Sequence, residues 1–176
     1  MNEPKFLLDT NVFIQSQNVD YPFDFCPGYW DLLEKGFKEG LLISHEKVLP
    51  ELTKKEDQVK KWANALNEFN NSFFAEITSE EFDIYNQLCS WAKNNDHYTN
   101  KAKGVFCDNT KADIWLCSKG MAQNIEVVTQ EVACSNRITS IKIPDVCKVF
   151  NIECCNKYEM LRKLNARFEL IKDHKF

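Results

Sequence analysis

Lys5-Phe6-Leu7-Leu8-Asp9-Thr10-Asn11-Val12-Phe13 is a short apolar run that breaks into three polar residues very early in the chain. A strand buried on both faces reads as a continuous apolar run instead of an alternation. Such a strand ending at Asp9 places a carboxylate on the C-terminal edge of a sheet, where open α/β sheets bind their ligands. Thr10 and Asn11 stand beside it, able to orient that carboxylate or a water.

Further short runs have the same character. Leu41-Leu42-Ile43 predicts a second strand and Ile125 to Thr129 the clearest one. Phe73 to Ile77 and Ile152 to Cys155 read as shorter extended pieces. Between them lie helical patterns. Trp30, Leu33 and Phe37 recur at helical spacing and stop at Gly40, and Ser44 is placed to cap the helix carrying Val48, Leu49, Glu51 and Leu52. Pro50 suits a first turn and would kink a helix that began at His45. Asp57 to Phe69 has one apolar side. Thr78-Ser79-Glu80-Glu81 and Thr110-Lys111-Ala112-Asp113 have capping-box form, and Asn156-x-x-Glu159 caps the last helix. Pro144 suits a helix start after the alternating Ile138 to Ile143. His97 to Cys107 reads equally as helix or loop. Strands alternating with helices predict a three-layer α/β/α domain with a mostly parallel sheet, and a helical insertion over roughly 57–106.

The 176 residues suit one domain with a sizeable core. A hydrophobic fraction of 44% with 27% charged residues excludes a disordered chain, and a net charge of −4 excludes a uniformly basic nucleic-acid binder while leaving a local basic patch open. None of the eight cysteines forms Cys-x-x-Cys or a zinc spacing, so buried free thiols and a reducing compartment are expected. Met1 to Lys5 is too short for a signal peptide. No apolar run approaches the ~20 residues of a membrane span. A cytoplasmic protein without membrane contact is expected.

Four acids recur at comparable places: Asp9 after the first strand, Glu51 early in the next helix, Asp113 in the first turn of a later one, and Glu131 just past Ile125 to Thr129. Singly, Asp113 reads as a helix-dipole partner and Glu51 as a solvated helix residue. Together they fall where a parallel sheet converges. Two bare carboxylates ~5 Å apart repel by about 3 kcal/mol at an effective dielectric near 20. Four together take up protons or hold a cation, and hard oxygens suit Mg²⁺ or Mn²⁺. That chemistry points to phosphodiester hydrolysis by metal-activated water.

In these four segments the chain resembles the PIN-domain nucleases: Phe6-Leu7-Leu8-Asp9-Thr10-Asn11-Val12-Phe13, Val48-Leu49-Pro50-Glu51-Leu52, Lys111-Ala112-Asp113-Ile114-Trp115 and Val127-Val128-Thr129-Gln130-Glu131. Tyr21-Pro22-Phe23-Asp24-Phe25-Cys26-Pro27-Gly28, Ile143-Pro144-Asp145-Val146-Cys147 and Glu159-Met160-Leu161 resemble a bacterial branch, DUF4411. The resemblance spans nearly the whole chain. It implies a PIN-like fold and an Mg²⁺- or Mn²⁺-dependent ribonuclease similar to VapC-type toxins, with an antitoxin that occludes the acidic pocket. Asp9, Glu51, Asp113 and Glu131 carry over as metal ligands or water activators, and Asn11 and Thr129 as groups that orient the ligands. Glu131 departs from the more usual Asp, Pro50 unsettles the local helix, and Asp145 competes as an outer ligand or simply starts a helix.

Lys54-Lys55, Lys60-Lys61, Lys101, Lys103 and Lys111 are candidates for RNA phosphate contacts or a solvated face. His97 and Tyr98 are candidates to stack on an unpaired base, and His45 reads as a surface residue. The apolar helices leave a homodimer open. Two rivals stand beside the nuclease: a phosphotransferase with Asp9 as nucleophile, of the haloacid-dehalogenase kind although Asn11 replaces its second acid, and a non-catalytic RNA- or partner-binding module.

Overall fold

Phe6, Leu7 and Leu8 form β1 and all three are buried, so the continuous apolar run is indeed a strand covered on both faces. The computed structural model describes residues 5–69 and 72–169. Residues 1–4, most of the segment judged too short for a leader, lie outside it. Beyond β1 the order is α1 (Thr10–Gln15), a π-helical turn (Ser16–Asp20), α2 (Pro27–Lys38), β2 (Leu42–His45), α3 (Val48–Leu52) and α4 (Gln58–Phe69). Then come β3 (Phe74–Ala75), α5 (Ser79–Lys93), α6 (Asn100–Phe106), α7 (Ala112–Gln123), β4 (Glu126–Val128), α8 (Ile143–Phe150), β5 (Cys154–Cys155) and α9 (Lys157–Lys163).

The sheet runs β3-β2-β1-β4-β5 and every pairing is parallel. Leu8 pairs with Ser44 on one side and Val128 on the other. The chain moves outward from β1 to β3, then crosses back to β4, so β1 and β4 flank the switch point. Right-handed crossovers in opposite directions put the helices before β2 and β3 on one face and those before β4 and β5 on the other. The three layers are thereby set, and the ends of β1 and β4 open a crevice between diverging connections.

Close packing of these layers depends on small residues at two helix–strand crossings. A Cβ on Gly36 of α2 would meet Leu42 Cδ1 at 2.6 Å, and one on Gly120 of α7 would meet Val127 Cγ2 at 2.7 Å. Phe13, Phe73, Phe37, Trp30 and Trp62 pack edge-on or tilted beneath the first face, giving large apolar burial with specific ring geometry. All eight cysteines are free thiols, and Cys89, Cys117, Cys147 and Cys155 are buried.

Local expectations differ in places. Ser44 caps no helix: β2 runs through His45, and the Ser44 hydroxyl donates to Leu8 O at 2.7 Å. Lys47 takes the cap of α3, which leaves Pro50 inside the first turn, where it is tolerated. Thr110 caps no helix either. Its hydroxyl donates to Asp108 Oδ1 at 2.7 Å, and Lys111 occupies the cap of α7. The stretch 57–106 holds α4, α5 and α6 but also β3, which joins the sheet beside β2. His97 to Cys107 resolves into a turn and α6, capped by the Thr99 hydroxyl. The Asn156–Glu159 capping box is formed.

Candidate active site

Asp9 leaves β1 in an extended conformation and starts α1, so its carboxylate sits at the sheet edge with only 3% of the residue exposed. Thr129, one residue past β4, donates its hydroxyl to Asp9 Oδ2 at 2.7 Å. That hydroxyl accepts in turn from Asn11 Nδ2 at 3.0 Å and from the Glu131 amide at 3.1 Å. Asn11 Oδ1 accepts from the Gln130 amide at 2.8 Å. A ladder of hydrogen bonds thus ties the start of α1 to the loop after β4 and leaves one Asp9 oxygen without a partner from it.

Glu51 reaches the same edge from α3. Its Oε2 accepts from the Thr10 hydroxyl at 2.5 Å and its Oε1 from the Ala112 amide at 3.4 Å, at the first turn of α7. The carboxylate thereby does for α7 what Thr110 was expected to do. Asp113, in that same turn, projects into the pocket. Glu131 accepts from Lys142 and from the Ile143 amide at 2.9 Å, where α8 begins.

Asp9, Glu51, Asp113 and Glu131 all line one cavity of about 350 Å³, together with Thr10, Asn11, Ile14, Gln15, Asn18 and Val19. The π-helical turn supplies Asn18 and Val19 to its wall. π-turns inside helices are frequent at functional sites. Lys157, buried beneath this turn, donates to the Ser16 hydroxyl at 3.0 Å and to Asp20, and Tyr158 donates to Asp20 Oδ1 at 2.9 Å. Among the described residues no group of three or more Asp, Glu, His or Cys side chains is placed to hold a metal ion. The acids form the walls of the pocket and stand apart across it.

Burial and the charge of Asp113, with a smaller push from Glu131, raise the Asp9 carboxyl to about 8 against the downward pull of Thr129. Burial, then Glu131 and Glu51, raise Asp113 to about 6, with Lys142 and Lys111 pulling the other way. Both folded values lie above the unfolded value of 3.8. The stability these groups contribute is therefore complete below pH 3.8 and is lost as pH rises through 6 and then 8. His45 acts with the opposite sign, since burial lowers it. The diagnostic quantity is accordingly the difference between wild type and Asp9→Asn. In EDTA, the variant should gain thermal stability relative to wild type steadily from pH 5 to 8.5, by several degrees at the top. Parallel melting curves across that range would contradict the assignment.

Other expected site residues fall elsewhere. Lys54, Lys55, Lys60, Lys61, Lys101 and Lys103 do not line the pocket; Lys60 pairs with Glu56 and Lys103 donates to Lys93 O at 3.1 Å. Lys111 caps α7, and its charge reaches Asp113. Tyr98 is buried with its ring edge-on to Trp91, so it offers no face to a base, while His97 stays exposed beside it. Asp145 accepts from the Cys134 amide at 3.0 Å and pins the loop after Glu131. It starts a helix and stands outside the pocket.

His45 is no surface residue. It is fully buried with Glu81 and Lys119. Lys119 Nζ donates to Glu81 Oε1 at 2.6 Å and to Glu76 O at 3.1 Å. His45 Nδ1 accepts from the Lys47 amide at 3.1 Å, which leaves Nε2 facing Glu81 Oε2 at 3.5 Å. Burial raises the Glu81 carboxyl, but the facing imidazole and the Lys119 ammonium outweigh it and hold it below its usual range.

The profile of a family described as a domain of unknown function, DUF4411, matches residues 6–168. The chain belongs to the DUF4411 family. No curated protein sequence matches this DUF4411 chain. Among solved structures it is similar to VapBC2 from Rickettsia felis bound to a DNA fragment from their promoter, at 19% identity and a TM-score of 0.49, over 86% of this chain and 97% of that one. A likeness so loose adds nothing to the reading of the site. No helix among the described residues of the DUF4411 chain is long and apolar enough to cross a membrane.

Proposed function

We propose that this DUF4411 protein is a metal-dependent endoribonuclease that hydrolyses RNA phosphodiester bonds with metal-activated water. The observation that carries the reading is the gathering of Asp9, Glu51, Asp113 and Glu131, from four separate segments, around one pocket at the sheet's switch point. Besides burial, the charge of Asp113 raises the proton affinity of Asp9 there, and Glu131 and Glu51 raise that of Asp113; a divalent cation would relieve that repulsion. The all-oxygen donor set fits Mg²⁺ or Mn²⁺. Mg²⁺ keeps several waters and binds through one or two carboxylates, so it does not require three acids to converge. Bound there, such an ion would lower the pKa of a water and stabilise charge on the phosphate.

The residues of the chain supply the rest. Thr129, braced by Asn11, holds Asp9 in one orientation at the pocket's lining. Thr10 and the Ala112 amide hold Glu51. Ile14 and Val19, respectively 41% and 70% exposed, give the pocket an apolar rim on which an unpaired base can rest. The same rim would meet an antitoxin, if the protein is the toxin of such a pair in the cytoplasm. The nucleophile reading of Asp9 finds no support, because Asn11 is fully occupied in bracing Thr129 and Gln130 and no acid stands in its place.

Purified protein should cleave single-stranded RNA with Mg²⁺ or Mn²⁺ and stop in EDTA. RNA binding with neither cleavage nor metal affinity would replace this reading with that of a non-catalytic module.

A further inference from the structure

Glu131 differs from the other acids of the pocket in what it already holds. One of its oxygens accepts from the Lys142 ammonium and the other from the Ile143 amide at 2.9 Å. Glu51 meets only neutral donors, Asp9 has one oxygen bonded to the Thr129 hydroxyl, and among the described residues nothing donates to the Asp113 carboxylate. A carboxylate paired with an ammonium and capping a helix is a poor ligand for a second cation. Binding would break a charge-assisted bond and leave Lys142 repelled by the ion.

The local fold fixes this pair. Lys142 is the extended cap residue of α8, and Pro144 presets the helix that follows. Asp145, held by the Cys134 amide, closes the loop that runs between Glu131 and Lys142. The ammonium is thereby brought against Glu131, which lines the pocket. The Lys142 side chain stays about a quarter exposed, at 26%, so solvent and a ligand can reach it. Its charge acts on Asp113 as well as on Glu131.

Resting on the nuclease reading above, we infer that Glu131 is a positioning residue and not an ion ligand. It fixes Lys142 as the pocket's built-in cation, placed to take a non-bridging oxygen of the scissile RNA phosphate beside a single divalent ion held by Asp9 and Asp113. Lysine binds phosphate as a point charge, and here it would supply positive charge that a second metal ion would otherwise bring.

The test is Mn²⁺ titration by calorimetry, with single-turnover RNA cleavage alongside, on wild type, Glu131→Gln, Lys142→Met and Lys142→Arg. Wild type should bind one Mn²⁺ per chain. Glu131→Gln should weaken that binding by no more than about tenfold, the effect of one lost neighbouring charge, because no ligand to the ion is removed and glutamine still accepts from the Ile143 amide. Lys142→Met should bind Mn²⁺ about tenfold more tightly, since a nearby positive charge is gone and Glu131 is freed. The same variant should cleave more slowly and with a raised KM, and Lys142→Arg should restore part of the KM. Loss of Mn²⁺ binding in Glu131→Gln, or unchanged or weaker Mn²⁺ binding in Lys142→Met, overturns the inference and leaves the nuclease reading in place. Should Lys142→Met fail to fold, Glu131→Gln decides alone. Absence of Mn²⁺ binding in wild type overturns both.

Discussion

Asp113→Asn should lower metal-dependent RNA cleavage on the order of 10³-fold or more, equivalent to about 4 kcal/mol of transition-state stabilisation, while the protein folds as well as wild type. Asparagine keeps the shape of the side chain in the first turn of α7 and removes the negative charge. Nothing among the described residues donates a hydrogen bond to that carboxylate, so no structural contact is lost with it. The same change removes the cost of burying the charge and relieves repulsion from Glu131 and Glu51, which together raise Asp113 to about 6. Metal-free Asp113→Asn should therefore melt higher than wild type at pH 7.5 and lose the stabilisation that Mn²⁺ gives the parent. Opposite movements of stability and activity separate a site residue from a structural one. Near-normal cleavage by the variant would remove Asp113 from the chemistry.

The second large effect lies away from the pocket. Glu81→Ala should destabilise the fold by ~3–5 kcal/mol, because it strands the Lys119 ammonium with no opposite charge. Both side chains are buried, with Glu81 0% and Lys119 1% exposed, and the remaining partner of Lys119 is the Glu76 carbonyl. The pair bridges the start of α5 to the middle of α7, so the loss should show as a lower urea midpoint at unchanged slope. Replacing both residues, as in Glu81→Leu with Lys119→Met, should recover much of the loss, since no uncompensated charge remains. RNA cleavage per folded molecule should be nearly unaffected. A loss below ~1 kcal/mol would mean that the Glu76 carbonyl suffices for the ammonium.

Asp9 was legible in the sequence because a strand covered on both faces announces its own end. The place of Asp113 at the pocket was legible too, though its capping signature misled about the local contacts. Thr110 has the right spacing, yet the Ala112 amide is taken by Glu51 from 61 positions away, a contact no local window contains. His45 was misread for the same cause. A single histidine after an apolar run looks like the rim of the molecule until the fold brings Glu81 and Lys119 against it. Lys142 carried no local mark at all. In Ile141-Lys142-Ile143 it reads as an ordinary outward residue, and only the loop pinned by Asp145 turns it back towards Glu131. Tyr98 shows the converse error, an aromatic beside a histidine that serves packing instead of recognition.

The ladder between Thr129 and Asp9 joins residues 120 positions apart, and Lys157 grips the π-helical turn at Ser16 from 141 positions downstream. A ribosome releases the chain from its N-terminus, and pairings this distant form only after both partners have emerged. A nascent chain carrying β1 through α6 holds Asp9 and Glu51 but neither their opposing acids nor the helix that latches the wall. The pocket's four acids and the latch on its wall therefore come together only after the segment through α9 has left the ribosome.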